Sequence, residues 1–208
     1  MKMKNKTLLL FFLLFQFSFS QNVKLKTGDI LFQSMNCGPL CEAINEVTEG
    51  YQGKDFSHLG MVYIKNDSIF VIEAAGKAVK VTPYETFKTY TTEAMFVGRL
   101  KNKYRKYIPE AITFSLQQVG VPYDDEYLYD NGKYYCSELI YDAFLHSYKK
   151  PLFDLFPMTF KSPKSNQYFE VWAEYYQKLK MEIPEGQLGC NPGGISTSDK
   201  LNIIGTIE

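Results

Sequence analysis

Residues 56–64 and 68–75 are two strand-like runs separated only by Lys65-Asn66-Asp67, which commits the middle of this chain to an antiparallel hairpin. A two-residue Asn66-Asp67 turn sets Lys65 opposite Ser68, Gly60 opposite Glu73 and His58 opposite Ala75. Directly opposed residues share a face of the sheet, and so do residues two apart on one strand. His58 and Glu73 therefore become diagonal neighbours on one face, roughly 7–8 Å apart at the backbone and within reach of long side chains. Gly60, lacking a side chain, leaves room between them. A carboxylate so placed holds an imidazole in one tautomer and stabilises it when charged, as the third member of a catalytic triad does. A three-residue loop would reverse the parity and separate the two.

A base held this way calls for a nucleophile. Cys136 lies in Tyr134-Tyr135-Cys136-Ser137-Glu138-Leu139-Ile140, where a turn feeds a helix with an apolar stripe of Leu139, Ile140, Ala143 and Phe144. Free amides and the positive end of the helix dipole favour a thiolate there. The same amides suit an oxyanion. A cysteine and a histidine distant in sequence make a thiol nucleophile–base pair once the fold joins them. Each residue alone has an ordinary reading: His58 as a satisfied core residue, Glu73 as a solvated strand end, Cys136 as a small buried hydrophobe. Their pairing is what distinguishes them, because a buried carboxylate needs a partner. His146, near the end of the Cys136 helix, reads as a surface or helix-end residue. Asp124, Asp125, Glu126 and Asp130 lack EF-hand spacing and read as a solvated acidic loop. That loop carries Tyr123, Tyr127 and Tyr129, leads into Cys136, and is placed to line a cleft.

Around this centre the chain alternates short elements. Residues 30–32 read as a strand, and Pro39 opens a helix to about Val47 with Gly50 to close it. Residues 77–81 and 94–100 read as third and fourth strands. Pro109 starts a helix that Gly120 ends, with Ile108, Ala111, Ile112, Ser115, Leu116 and Val119 as its core stripe. Residues 151–164 read as loop, 167–180 as helix, and 184–199, rich in Gly, Pro and Ser, as a segment that wraps rather than packs. A small antiparallel sheet framed by helices is α+β.

The N-terminus stands apart. Three lysines in the first six residues precede a nearly pure Leu/Phe run and then Ser18-Phe19-Ser20, the pattern of a secretory signal peptide over residues 1–20. The apolar run is shorter than the roughly 20 residues a membrane span needs, so no stable span is expected after cleavage. Residues 21–208 then form a single domain, exported to the periplasm or beyond. They carry 20 basic and 23 acidic side chains, a net charge of −3 that offers no field for nucleic acid. Export brings oxidising conditions. Cys37 and Cys41 flank a helix start, where the geometry for a mutual bridge is expected to be poor, which leaves Cys190 to pair with either. No CxxC or His/Cys cluster marks a zinc site, and neither metal nor organic cofactor is expected.

Together, Gly28-Asp29-Ile30-Leu31-Phe32, Phe56-Ser57-His58-Leu59-Gly60-Met61-Val62, Val71-Ile72-Glu73-Ala74, Gly120-Val121-Pro122-Tyr123-Asp124 and the Cys136 segment resemble the YiiX/YebB-like proteins. These are a circularly permuted branch of the NlpC-type papain-like cysteine hydrolases, with histidine before cysteine in the chain. Pro157-Met158-Thr159-Phe160 and Asn191-Pro192-Gly193 also match the group. The resemblance implies a permuted papain-like fold, with a cysteine-bearing helix packed on the sheet. By position it makes Cys136 the nucleophile, His58 the base and Glu73 the orienting residue. The expected activity is that of an exported cysteine amidase acting on an amide- or ester-containing small molecule, a cell-wall peptide or a lipid, with peptidoglycan stem peptides as the first substrate. Two rivals stand beside it. One is a lipid-directed thiol acyltransferase or esterase on the same three residues. The other is an inactive cell-surface binding module in which Cys136 is bridged or merely buried.

Overall fold

The hairpin forms in the expected register. In the computed structural model, which describes residues 23–208, Lys65 faces Ser68 and Met61 faces Ile72. Asn66 and Asp67 take φ of 48° and 60°, the left-handed conformation that a type I′ hairpin turn requires and that Asn and Asp tolerate. The expected signal segment lies outside the described residues.

The chain runs β1 (Ile30–Gln33), α1 (Pro39–Val47), β2 (His58–Lys65), β3 (Ser68–Ala75), β4 (Ala78–Pro83), α2 (Tyr84–Lys88), β5 (Met95–Leu100), α3 (Ile108–Gln117), α4 (Cys136–Tyr148), β6 (Phe156–Pro157), α5 (Glu170–Leu179), β7 (Leu188–Gly189), α6 (Pro192–Ser196) and β8 (Leu201–Ile207). One six-stranded antiparallel sheet has the order β4-β3-β2-β1-β5-β8. Alternation along the strands sorts its two faces. Ile30, Phe32, Leu59, Met61 and Ile72 pack under α3 and α4 in the larger core. Leu31, Val62, Val71 and Val97 face the other way, against Phe87 of α2 and Leu25. A third cluster joins Ala43 of α1 to Trp172 and Tyr176 of α5 and to Phe160. Asp29, just before β1, receives two hydrogen bonds of 2.7 Å from Arg99 of β5, which pins the two strands together at their buried end.

Several expectations are corrected. Cys37 and Cys41 are bridged to each other, with Cα atoms 5.4 Å apart, and Cys190 is free. Gly38, at φ 72°, turns the chain back before α1 so that Cys37 lies over the first turn. Val119 is 48% exposed, because α3 stops at Gln117 and the chain has left the helical face by then. The acidic loop is not wholly solvated. Asp124 is fully buried and accepts from the backbone amides of Glu126 and Leu128 and from Asn131 Nδ2. The 184–199 segment packs as well as wraps: Cys190, Pro192, Gly193 and Ile195 are buried. The final strand, β8, was not foreseen; it covers the edge that β5 would otherwise leave open.

The space expected at Gly60 is occupied by Val71. A Cβ there would stand 2.4 Å from Val71 Cγ1 and 3.3 Å from Glu73 Cβ. Gly60→Ala should therefore destabilise the fold by about 1–3 kcal/mol through overpacking, read as a lower urea midpoint. Adding Val71→Ala should restore part of the loss. An unchanged midpoint in Gly60→Ala alone would show that Val71 moves aside freely.

Candidate active site

Cys136 is the first residue of α4, preceded by Tyr135 in an extended conformation. No side chain of Tyr135 caps the helix. Glu138, three residues in, is fully buried; its Oε1 accepts from the Asp130 amide at 2.9 Å, tying the acidic loop to the helix start, while its Oε2 has no partner. The first-turn amides at Cys136 and Ser137 have no partner within the helix.

His58 opens β2, and its Nε2 meets Glu73 Oε2 at 2.6 Å. Both side chains are buried, the glutamate completely. The other glutamate oxygen is satisfied by Thr82 Oγ1 at 2.5 Å and by Tyr90 at 3.2 Å, with Lys80 Nζ 3.6 Å away. Cys136 lies close enough to His58 to raise the proton affinity of its ring. The three expected residues are thus brought near one another, with Glu73 bonded to His58 and Cys136 close to the ring. His146 is far from them, half-exposed, stacked on Phe114 and 3.5 Å from Glu110.

Electrostatics follow from this arrangement. Burial alone would lower the affinity of His58 for its proton. The neighbouring Cys136 and the hydrogen bond to Glu73 overcome that and raise it from 6.5 to about 9. Glu73 behaves inversely: burial pushes its carboxyl up, and the bond and charge of His58 more than reverse it, so it stays below its ordinary value. Elsewhere, burial pushes the Glu138 carboxyl up to about 8 and the Cys190 thiol well above its usual range.

Thr82, Tyr90 and Lys80 were missed from the sequence. Two of them were legible. Glu73 pairs with Lys80 across β3 and β4, so Thr82 is its diagonal neighbour on the same face. The alternation used for the first hairpin, applied to the second around Gly76-Lys77, leads to both.

Cys136 opens onto a cleft of about 200 Å³. Its lining includes Ile44, Tyr127, Met158, Phe160 and Trp172, and none of its lining residues is Asp, Glu, Lys, Arg or His. Ser57, beside His58, reaches the same space.

A thiol at a helix start, close to an imidazole on an antiparallel sheet that precedes it in the chain, is the layout of a permuted papain-like enzyme. Residues 24–205 match the model of the permuted papain-like amidase enzymes, YaeF/YiiX, C92 family, and the chain belongs to that family. It is 30% identical over 142 residues to the uncharacterised protein YiiX of Escherichia coli strain K12; the match covers 66% of this chain and 65% of that protein, so the chain spans just under two-thirds of this relative. A crystal structure described as metalloprotein yiiX from Escherichia coli O157:H7 superposes with a TM-score of 0.73 at 22% identity, covering 88% of this chain and 97% of that one. Among the described residues here, no three His, Cys, Asp or Glu side chains are grouped to hold a metal ion.

The chain has two histidines, so its imidazole signals can be assigned from one variant. NMR titration should place His58 near pH 9, and Glu73→Gln should move it down toward its ordinary 6.5. The sign follows from the raised value: the stabilisation His58 gives the fold is complete below about pH 6.5 and is lost as pH rises through about 9. An unshifted His58 in the parent protein would contradict the buried ion pair.

Proposed function

We propose that this protein is an exported cysteine amidase that uses Cys136 as nucleophile, His58 as base and acid, and Glu73 to orient the imidazole. The observation that carries this reading is the buried His58, hydrogen-bonded to Glu73 at 2.6 Å and close enough to Cys136 for the thiol to raise its proton affinity, with Cys136 open to a cleft. The Cys136 sulfur attacks an amide carbonyl, forming the C–S bond as the carbonyl π pair moves to oxygen. A first-turn amide of α4 receives that oxyanion. Collapse restores the carbonyl and breaks the C–N bond, and His58 gives its proton to the departing amine. Water, deprotonated by His58, then cleaves the thioester to an acid and regenerates the thiol.

The cleft narrows the substrate. An uncharged lining rich in aromatic and apolar side chains suits an apolar acyl group and offers no cationic partner for the carboxylates of a peptidoglycan stem peptide. This favours the acyl-directed reading of the same triad on the donor side, with either water or an amine as acceptor. A binding-only reading gains little support, since Cys136 carries a free thiol close to His58. Export rests on residues 1–20 and agrees with the Cys37–Cys41 bridge, which suits an oxidising compartment.

Hydrolysis of an N-octanoyl anilide should vanish in Cys136→Ala, fall about 10²–10⁴-fold in His58→Ala, and fall less in Glu73→Gln. Product analysis with an added primary amine separates hydrolysis from acyl transfer. Full activity in Cys136→Ala would end the thiol mechanism. Faster cleavage of a charged stem-peptide amide than of the acyl anilide would end the acyl assignment.

A further inference from the structure

Glu73 is fully buried and meets four side chains. His58 of β2 lies against Oε2, and the hydroxyls of Thr82 of β4 and of Tyr90, just past α2, donate to Oε1. A carboxyl group that only accepts is in its ionised form. The fourth neighbour is a second cation. Lys80 sits directly opposite Glu73 across β3 and β4, and its Nζ is 3.6 Å from Oε1. The same ammonium donates to the Tyr90 hydroxyl at 3.2 Å, which in turn donates to Oε1 at 3.2 Å. β4 is an edge strand, and the Lys80 side chain is 42% exposed, so this charge is reached by solvent while the carboxylate it faces is not. His58 itself is faced by Glu73 of β3, by Cys136 of α4 and by the rings of Phe87 and Tyr90. Lys80 thus adds a positive charge to Glu73 on the side away from the imidazole.

We propose that Lys80 is a positioning residue whose ammonium keeps Glu73 ionised while His58 is neutral, so that His58 can release its proton to the leaving amine. The inference rests on the Cys136–His58–Glu73 reading. When the C–N bond breaks, its electron pair stays on nitrogen, which takes the proton from His58. The imidazole is then neutral, and a buried carboxylate has lost the charge that faced it. A buried charge without a partner is costly, so Glu73 alone would hold that proton back on the ring. Lys80 keeps its charge throughout the cycle and offsets the loss through Oε1. Lys80 exchanges no proton with substrate and touches neither substrate nor thiol. It acts by making the neutral imidazole easier to reach.

The sign of one titration separates this role from a merely structural one. Lys80→Met removes the charge and keeps the stem, at a site exposed enough to tolerate it. By NMR, His58 should then titrate higher than its parent value of about 9, by about 0.5–1 in pH. A lysine that only braces Glu73 gives the opposite sign, because a displaced Glu73 lets His58 fall back toward 6.5. Lys80→Arg keeps the charge and should stay near the parent. Salt at about 1 M should move His58 of the parent upward, since a half-exposed charge is screened, and should move it less in Lys80→Met. Hydrolysis of the N-octanoyl anilide by Lys80→Met should lose about threefold in kcat with KM little changed. The alkaline limb of its kcat/KM profile should rise with the titration, and Lys80→Arg should restore both. A downward or unmoved His58 in Lys80→Met would overturn the proposal. So would an upward shift with kcat and the limb unchanged, which would show that the charge reaches the ring but not the reaction. Full activity in Cys136→Ala would instead end the triad reading, and the proposal with it, even where the titration moves as expected.

Discussion

The contact between His58 and Glu73 is what the rest of the site depends on. A buried carboxylate and a buried imidazole are each unfavourable alone, and breaking such a pair typically costs about 3–5 kcal/mol because one charge is left unpaired. Here the pair is doubly secured: His58 takes one carboxylate oxygen, and Thr82 and Tyr90 donate to the other. The raised proton affinity of His58, from 6.5 to about 9, corresponds to differential binding on the order of 3 kcal/mol. That arrangement requires one register of β2 on β3 and one of β3 on β4. A one-residue slip in either would turn a polar side chain to the α4 face and leave a charge in the apolar core. The left-handed turn at Asn66-Asp67 is therefore part of the active-site architecture, although it lies at the far end of the hairpin.

The nucleophile side is built on a different principle. Glu138 and Asp124 are both fully buried and both receive backbone amides of the loop before α4. They make the Tyr-rich loop and the first turn of the helix a single body, so the cleft wall and Cys136 are positioned together. The two buried glutamates have opposite tendencies. Glu73 faces an imidazolium and stays ionised, while Glu138 faces other acids across an apolar surround and holds its proton to about pH 8.

What was legible in the sequence is what short-range rules control. The β2–β3 register, the start of α4 at Cys136, and the sharing of a face by His58 and Glu73 all follow from a two-residue turn and strand alternation. The aromatic loop was legible from its place just before the cysteine: Tyr123 and Tyr127 line the cleft, while Tyr129 packs on Tyr141 instead. What escaped notice depends on contacts between distant segments. β8 is a strand because β5 has an edge to fill, and 184–199 is buried because Cys190 and Ile195 fill gaps against α4 and the core. The Cys37–Cys41 bridge was misjudged because one glycine torsion, at Gly38, decides whether the chain before α1 points away from the helix or folds over it.

The four cysteines show how this fold separates chemical roles that the sequence leaves mixed. Two are consumed in a bridge at the first turn of α1, whose later residues Ile44 and Val47 line the cleft. Cys190 also reaches the cleft, but it is sealed: 1% exposed, near the Tyr135 hydroxyl, in surroundings that hold its proton tightly. A thiol so protonated is a poor nucleophile and a slow partner in disulfide exchange. Cys136 alone combines a helix start, an imidazole and an opening to the cleft. In the oxidising compartment proposed above, that partition would matter as much as the proposed triad does. A nucleophilic thiol survives there only if neighbouring thiols are already paired or too firmly protonated to attack it.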